Sequence, residues 1–108
     1  MDQEVIAVIK EQIANNTIIL YMKGSPEMPR CGFSAKACQA LVECGAKFAY
    51  VDILNNPDIR QNLPLYAKWP TFPQLYIKGE LVGGCDIMME LHENGELQKM
   101  IDAAQTTD

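Results

Sequence analysis

One cysteine in this sequence stands where a thiol can do chemistry. Cys31 follows the loop Lys23-Gly24-Ser25-Pro26-Glu27-Met28-Pro29-Arg30, which leaves an apolar run from Thr17 to Met22 and leads into a helix-like run from Ala35 to Cys44. That placement puts Cys31 where a loop turns into a helix N-terminus. Unpaired N–H groups and the helix dipole converge at such a point and favour an anion. Lys23 and Arg30 bring positive charge along the same loop. The favoured species is a thiolate, the form of cysteine that attacks electrophiles and binds metals.

Magnitudes set what the loop must supply. A free thiol with a pKa of about 8.5 is only a few per cent ionised at neutral pH. A helix terminus contributes roughly 0.3 to 1 kcal/mol, whereas each tenfold gain in acidity takes about 1.4 kcal/mol. The dipole alone is too weak, so a strongly activated Cys31 also needs a cation or a metal. Lys23, which ends a strand beside the thiol, is the first candidate for the cation.

The other cysteines read differently. Cys44 shares a helical face with Phe33, Ala37 and Leu41, which makes it a small buried hydrophobe. Cys38, toward the edge of that face, is either a packed helical residue or a secondary redox site. No two cysteines form a C-x-x-C pair and His92 is the single histidine, so a zinc site built within one chain is not expected. His92 itself reads as an ordinary helix residue.

The elements that must position Cys31 follow from periodicity. Asp2 is a plausible N-cap for a helix from about Gln3 to Ala14, with Val5, Ile6, Ile9 and Ile13 on one stripe. Thr17 to Met22 is almost continuously apolar and suits a central strand covered on both faces. Gly45 ends the second helix, and Phe48 to Ile53 reads as a strand parallel to the first. Asn56-Pro57 starts a third helix that should stop at Asn62 or Leu63, before Pro64. Trp69 to Ile77 is a strand preceded by prolines, Lys78-Gly79-Glu80 a turn and Leu81-Val82 the start of the returning strand. Gly83-Gly84-Cys85-Asp86 closes that strand before a helix to about Asn94. Leu97, Met100, Ile101 and Ala104 mark a last short helix, and 105–108 reads as a frayed tail.

With 108 residues, 48% of them hydrophobic and 21% charged, the chain is expected to form one domain, 1–108, with a real core. A net charge of −5 argues against a general nucleic-acid binder. No apolar run approaches the roughly 20 residues of a membrane span. The start Met1-Asp2-Gln3-Glu4 lacks the basic residues of a signal peptide. The expectation is a cytoplasmic protein, complete from its first residue, with free or transiently bonded thiols.

Lys23, the proline-containing loop, Cys31-Gly32-Phe33-Ser34 and the later stretches in order resemble the single-domain bacterial monothiol glutaredoxins with a Cys-Gly-Phe-Ser motif, over nearly the whole chain. The resemblance selects, among the architectures that this element order permits, an α/β thioredoxin fold: a four-stranded mixed sheet flanked by helices. It also implies a glutathione site. Lys23 and Arg60 would pair with the glycyl carboxylate, although Arg60 taken alone reads as a solvated charge. Thr71, Phe72 and Pro73 would form a cis-proline turn that offers the Phe72 main chain to the tripeptide; the bland reading is a trans proline starting an edge strand. Gly84, Cys85 and Asp86 would hold the γ-glutamyl end, with Gly83-Gly84 letting the main chain approach. Asp86 fits a helix N-cap equally well. Cys85 would offer backbone contacts, or a reversible disulfide to Cys31.

Ser34 occupies the place where a dithiol relative carries its resolving cysteine. A hydroxyl resolves no mixed disulfide, so weak dithiol-type reductase activity is expected. The resemblance implies instead a [2Fe-2S] cluster bridging a homodimer, ligated by Cys31 of each chain and by two glutathiones. Gly32 would keep the main chain clear of the cluster, and Trp69-Pro70 would form part of its surroundings. The protein would be a monomer without cluster, pair with a BolA-like protein, and serve iron-sulfur recipient apoproteins in storage, transfer and iron and redox homeostasis. Two rival functions share this site: glutathione-dependent thiol-disulfide exchange through Cys31, and a redox-regulated interaction module without turnover.

Overall fold

The Asp2 carboxylate accepts the N–H groups of Glu4 at 3.0 Å and Val5 at 3.3 Å, which caps α1 (Gln3–Asn15) as the sequence predicts. The computed structural model describes residues 1–106. After α1 come β1 (Ile18–Met22), α2 (Gly32–Glu43), β2 (Ala49–Asp52), α3 (Pro57–Ala67), β3 (Gln74–Ile77), β4 (Glu80–Gly83), α4 (Cys85–Glu93) and α5 (Glu96–Gln105). The sheet order is β2-β1-β3-β4, with β1 parallel to β2 and antiparallel to β3, and β3 antiparallel to β4. The sheet is therefore mixed and flanked by helices.

All five residues of β1 are buried, because successive side chains point to opposite faces and both faces are covered. Ile18, Leu20 and Met22 pack with Ala37, Leu41, Met88 and Leu97 from α2, α4 and α5. Ile19 and Tyr21 pack with Ile6, Ile9, Ile59 and Leu63 from α1 and α3. Each of the leucine, isoleucine and methionine side chains among them contributes about 1.5 to 3 kcal/mol by leaving water. β1 is thus fixed from both sides, and its C-terminal end gives Lys23 and the following loop a rigid start.

Four expectations change. The second helix begins at Gly32 rather than Ala35, and Phe33 is 59% exposed. Its buried stripe is Ser34, Ala37, Cys38 and Leu41, at i, i+3, i+4 and i+7. Cys38 accordingly sits in the core, its Sγ 3.3 Å from Met22 Sδ. The third helix continues through Pro64 to Ala67; buried Ile59 and Leu63 hold it, and the Pro64 carbonyl accepts the N–H of Lys68, which ends the helix in the left-handed region at φ 53°. His92 is more than an ordinary helix residue, because it ties α4 to α2 through Nε2 and Glu43 Oε1 at 2.8 Å. Gln105, assigned to a frayed tail, belongs to α5, and its Oε1 accepts the Lys47 N–H at 2.6 Å. The last two positions of that tail, 107–108, lie outside the described residues.

Candidate functional site

Lys23 leaves β1 and the chain at once doubles back. Gly24 has φ +91°, and a Cβ there would collide with the Met28 carbonyl and lie 2.8 Å from the Arg30 nitrogen. Only glycine fits this conformation and this space. Ser25 and Met28 exchange main-chain hydrogen bonds, and the Arg30 N–H donates to the Lys23 carbonyl at 2.9 Å. The loop therefore closes on itself and delivers Cys31 to the N-cap position of α2 with extended backbone, φ −152° and ψ 137°.

Cys31 is half-buried, and its pKa lies below the ordinary thiol value. The largest cause is the Ser34 main-chain N–H; partial burial opposes it, and the Phe33 N–H, the charge of Lys23 and the Ser34 hydroxyl follow in that order. The sequence points first to Lys23. In the structure the main-chain N–H groups of Ser34 and Phe33, in the first helical turn, outrank it as causes of the lowering, although the Cys31 side chain makes no capping hydrogen bond. Ser34 is fully buried, and its Oγ accepts the Lys23 N–H at 3.0 Å. The residue that replaces a second thiol thus joins the end of β1 to the start of α2.

Three further segments meet Cys31 around one cavity of about 680 Å³. Arg60 comes from the first half of α3. Thr71 and Phe72 come from the segment before β3, where the Phe72–Pro73 peptide bond is cis, the alternative that the resemblance favours. Buried Gln74 holds that segment: its Nε2 donates to the Trp69 carbonyl at 2.9 Å and the Thr71 carbonyl at 3.2 Å, and its Oε1 accepts the Tyr76 hydroxyl at 2.9 Å. Gly84, Cys85 and Asp86 come from the start of α4.

The cavity wall therefore gathers Lys23, Cys31, Arg60, Thr71, Phe72, Gly84, Cys85 and Asp86. Pro73 stands behind it, with its carbonyl oxygen 3.2 Å from where a Cβ on Gly84 would lie. Asp86 is not the helix cap. Gly84 takes the N-cap position and Asp86 falls within the first turn, where a carboxylate complements the helix dipole. The two glycines answer to internal packing as well as to any ligand, since a Cβ on Gly83, at φ +145°, would lie 2.8 Å from Ile87 Cδ1. Cys85 is 9% exposed, and its thiol is pushed up by burial first and by the charge of Asp86 second. Gly32 faces open space.

Phe33, Pro64 and Ile87 also line the cavity, and the sequence assigns none of them to a site. In the sequence Pro64 reads as a helix stop and Phe33 as core. Trp69 lines the cavity too, and its buried Nε1 is the one buried side-chain nitrogen or oxygen without a hydrogen-bond partner among the described residues. A cavity of this volume suits a small molecule. Its wall offers two cations, a helix N-terminus and an acidity-enhanced thiol, a set suited to an elongated ligand carrying carboxylates and sulfur.

The sequence pattern of the glutaredoxin family matches residues 18–82. Glutaredoxin 4 of Escherichia coli K12 is 67% identical over 96 residues, which cover 89% of this chain and 84% of the relative. The chain belongs to the glutaredoxin family. Its Cys31-Gly32-Phe33-Ser34 sequence makes it a monothiol glutaredoxin, and the glutaredoxin relatives share its single-domain size. Among solved structures, reduced apo GrxS14 of poplar superposes with a TM-score of 0.81 at 42% identity, covering 95% of this chain and 94% of that one. A buckwheat glutaredoxin solved as its glutathione complex superposes at 0.84, with 20% identity and coverage of 98% and 94%. These likenesses identify the β2-β1-β3-β4 sheet and its helices as the thioredoxin fold of glutaredoxins. No helix among the described residues is long and apolar enough to cross a membrane.

Proposed function

We propose that this glutaredoxin binds glutathione in the cavity and carries a [2Fe-2S] cluster between two copies of the chain. The observation that supports this reading best is the contrast among the four thiols. Cys31 is half-buried, lines the cavity and is held at lowered pKa, whereas Cys38, Cys44 and Cys85 are buried. A cluster of this type takes four ligands, most often thiolates. One chain supplies Cys31, a second supplies its own, and the thiols of two glutathiones complete the set.

Glutathione fits the chemistry of the wall. Lys23 and Arg60 would receive its glycyl carboxylate, the Thr71-Phe72-Pro73 segment would add its main chain as a short strand, and Gly84, Cys85 and Asp86 would receive the γ-glutamyl end. The buckwheat relative holds the same tripeptide. Open space at Gly32 leaves room beside the sulfur for cargo. The protein works in the cytoplasm as a monomer without cluster and a homodimer with it, exchanges one copy for a BolA-like protein, and passes its cargo to iron-sulfur apoproteins. Anaerobic reconstitution with iron, sulfide and glutathione should give a coloured dimer with visible charge-transfer absorption, lost in Cys31→Ser. A colourless monomer would overturn the cluster reading.

The lowered pKa of Cys31 favours a second reading on the same site. The Cys31 thiolate would attack the glutathione sulfur of a mixed disulfide, expelling the substrate thiolate, which takes a proton. A second glutathione thiolate would then attack the Cys31–glutathione disulfide, releasing glutathione disulfide and restoring Cys31. Turnover on a small mixed disulfide at the rate of dithiol relatives would favour this enzyme reading over the carrier.

A further inference from the structure

The two cations of the cavity wall come from separate elements, and one carboxylate lies behind both. Asp52 ends β2 and pairs in register with Met22, the last residue of β1, so it stands beside the point where Lys23 leaves the sheet. Its Oδ1 accepts the Gly24 N–H at 2.9 Å and the Leu54 N–H at 2.9 Å, and its Oδ2 accepts Asn55 Nδ2 at 3.1 Å. Its main-chain carbonyl accepts Asn56 Nδ2 at 2.8 Å. Asn56 is the N-cap of α3, and its own carbonyl accepts the Arg60 N–H at 3.0 Å.

We propose that Asp52 is the positioning residue for the carboxylate-binding pair Lys23 and Arg60: its side chain anchors the residue after Lys23, and its main chain anchors the cap of the helix that carries Arg60. The inference rests on the glutathione reading above and adds what holds its cationic end together. Among the described residues the ion pairs are His92–Glu43 and Lys99–Glu96, so Lys23 and Arg60 pair with no carboxylate of those residues. The Asp52 carboxylate is engaged by N–H donors instead of these cations, which leaves both charges to a ligand. Charge-assisted bonds of this length are strong as well as directional. An anchor that serves two segments makes their separation independent of the ligand, so binding need not order them.

The test is calorimetric titration of glutathione into the full chain and into Asp52→Ala, Asp52→Asn and Asn56→Ala, at low and high salt, with a thermal melt of each. Asp52→Ala should weaken binding by about tenfold or more, the effect of losing hydrogen bonds to a charged group, and its binding should depend less on salt. Asp52→Asn keeps an acceptor at Oδ1, and a turn of the Asn55 amide accommodates the new NH₂; it should restore most of the affinity. Asn56→Ala releases only the α3 arm and should fall between the two. A merely structural Asp52 would lower melting temperatures while glutathione affinity and its salt dependence stayed as in the parent chain, which would overturn the proposal. If Asp52→Ala does not fold, Asn56→Ala decides, and parental affinity in that variant overturns the idea. Absence of binding by the parent chain overturns the glutathione reading and this inference with it, whereas parental binding with unaffected variants removes the inference alone.

Discussion

The hydroxyl oxygen of Ser34, fully buried in the first turn of α2, accepts the main-chain N–H of Lys23 at 3.0 Å. The residue in the place of a resolving thiol is therefore part of the support of the remaining one. Ser34→Ala leaves the Lys23 N–H without its acceptor, which should cost about 1 to 3 kcal/mol. It also removes the hydroxyl's share in lowering the Cys31 pKa while keeping the larger contribution of the Ser34 N–H. Urea unfolding should show the loss, and thiolate absorbance against pH should show a partial upward shift. A variant equal to the parent in both would contradict the role.

Gly24 is the tightest point of the Cys31 loop. Gly24→Ala puts a methyl group against the Met28 carbonyl at a backbone angle of φ +91°, and strain of this kind costs on the order of 1 to 3 kcal/mol. Because the same loop positions Cys31, alkylation of that thiol should slow as the melting temperature falls. A variant that melts and reacts like the parent would show that the loop opens freely.

The thiols should separate by pH. The folded Cys31 pKa is lowered, so its stabilising contribution is complete above the unfolded thiol pKa and is lost as the pH falls through the folded value. Cys38 behaves in the opposite sense. Burial first and the charge of Glu27 second push it up to about 11, so its contribution is complete below the unfolded thiol pKa and is lost as the pH rises through about 11. Mass-resolved alkylation from pH 5 to 9 should label Cys31 first, with a midpoint below that of a free thiol. Equal labelling of Cys38 in the folded protein would show that the core admits the reagent.

The His92–Glu43 bridge makes a local prediction. The Glu43 carboxyl lies below its ordinary range because His92 bonds it, with Gln39 second. Stability from this group is present above the ordinary carboxylate pKa and is lost as the pH falls through the lowered value. In His92→Ala the Glu43 pKa, followed by side-chain NMR, should rise toward that ordinary range. An unmoved titration would assign the shift to Gln39.

Particular residues show how far the sequence could be read. The continuous apolar run Ile18 to Met22, the Asp2 cap and the element order carry enough signal to place the helices and strands in order, although β3 starts at Gln74 and not at Trp69. Motif resemblance points to Lys23, Cys31, Arg60, Thr71, Phe72, Gly84, Cys85 and Asp86, and these residues converge on one cavity. Phe33 shares the helical phase of Ala37 and Leu41 in sequence, yet it is 59% exposed and lines the cavity, while the buried position in that first turn belongs to Ser34. Ser34 hid the true stripe, since a buried hydroxyl announces itself only once its partner, the Lys23 N–H, is seen. Asp52 is silent for the same reason. Its partners are main-chain groups at Gly24 and Leu54, and backbone donors carry no signature in the letters of a sequence.

The chain contains a single tryptophan, and that indole stands in the cavity wall with its Nε1–H unpartnered. Its emission therefore samples one place only. Arrival of a tripeptide, or of an iron-sulfur chromophore that absorbs near the indole's emission, would dim or recolour that light, so the protein carries its own unlabelled optical gauge of what it holds.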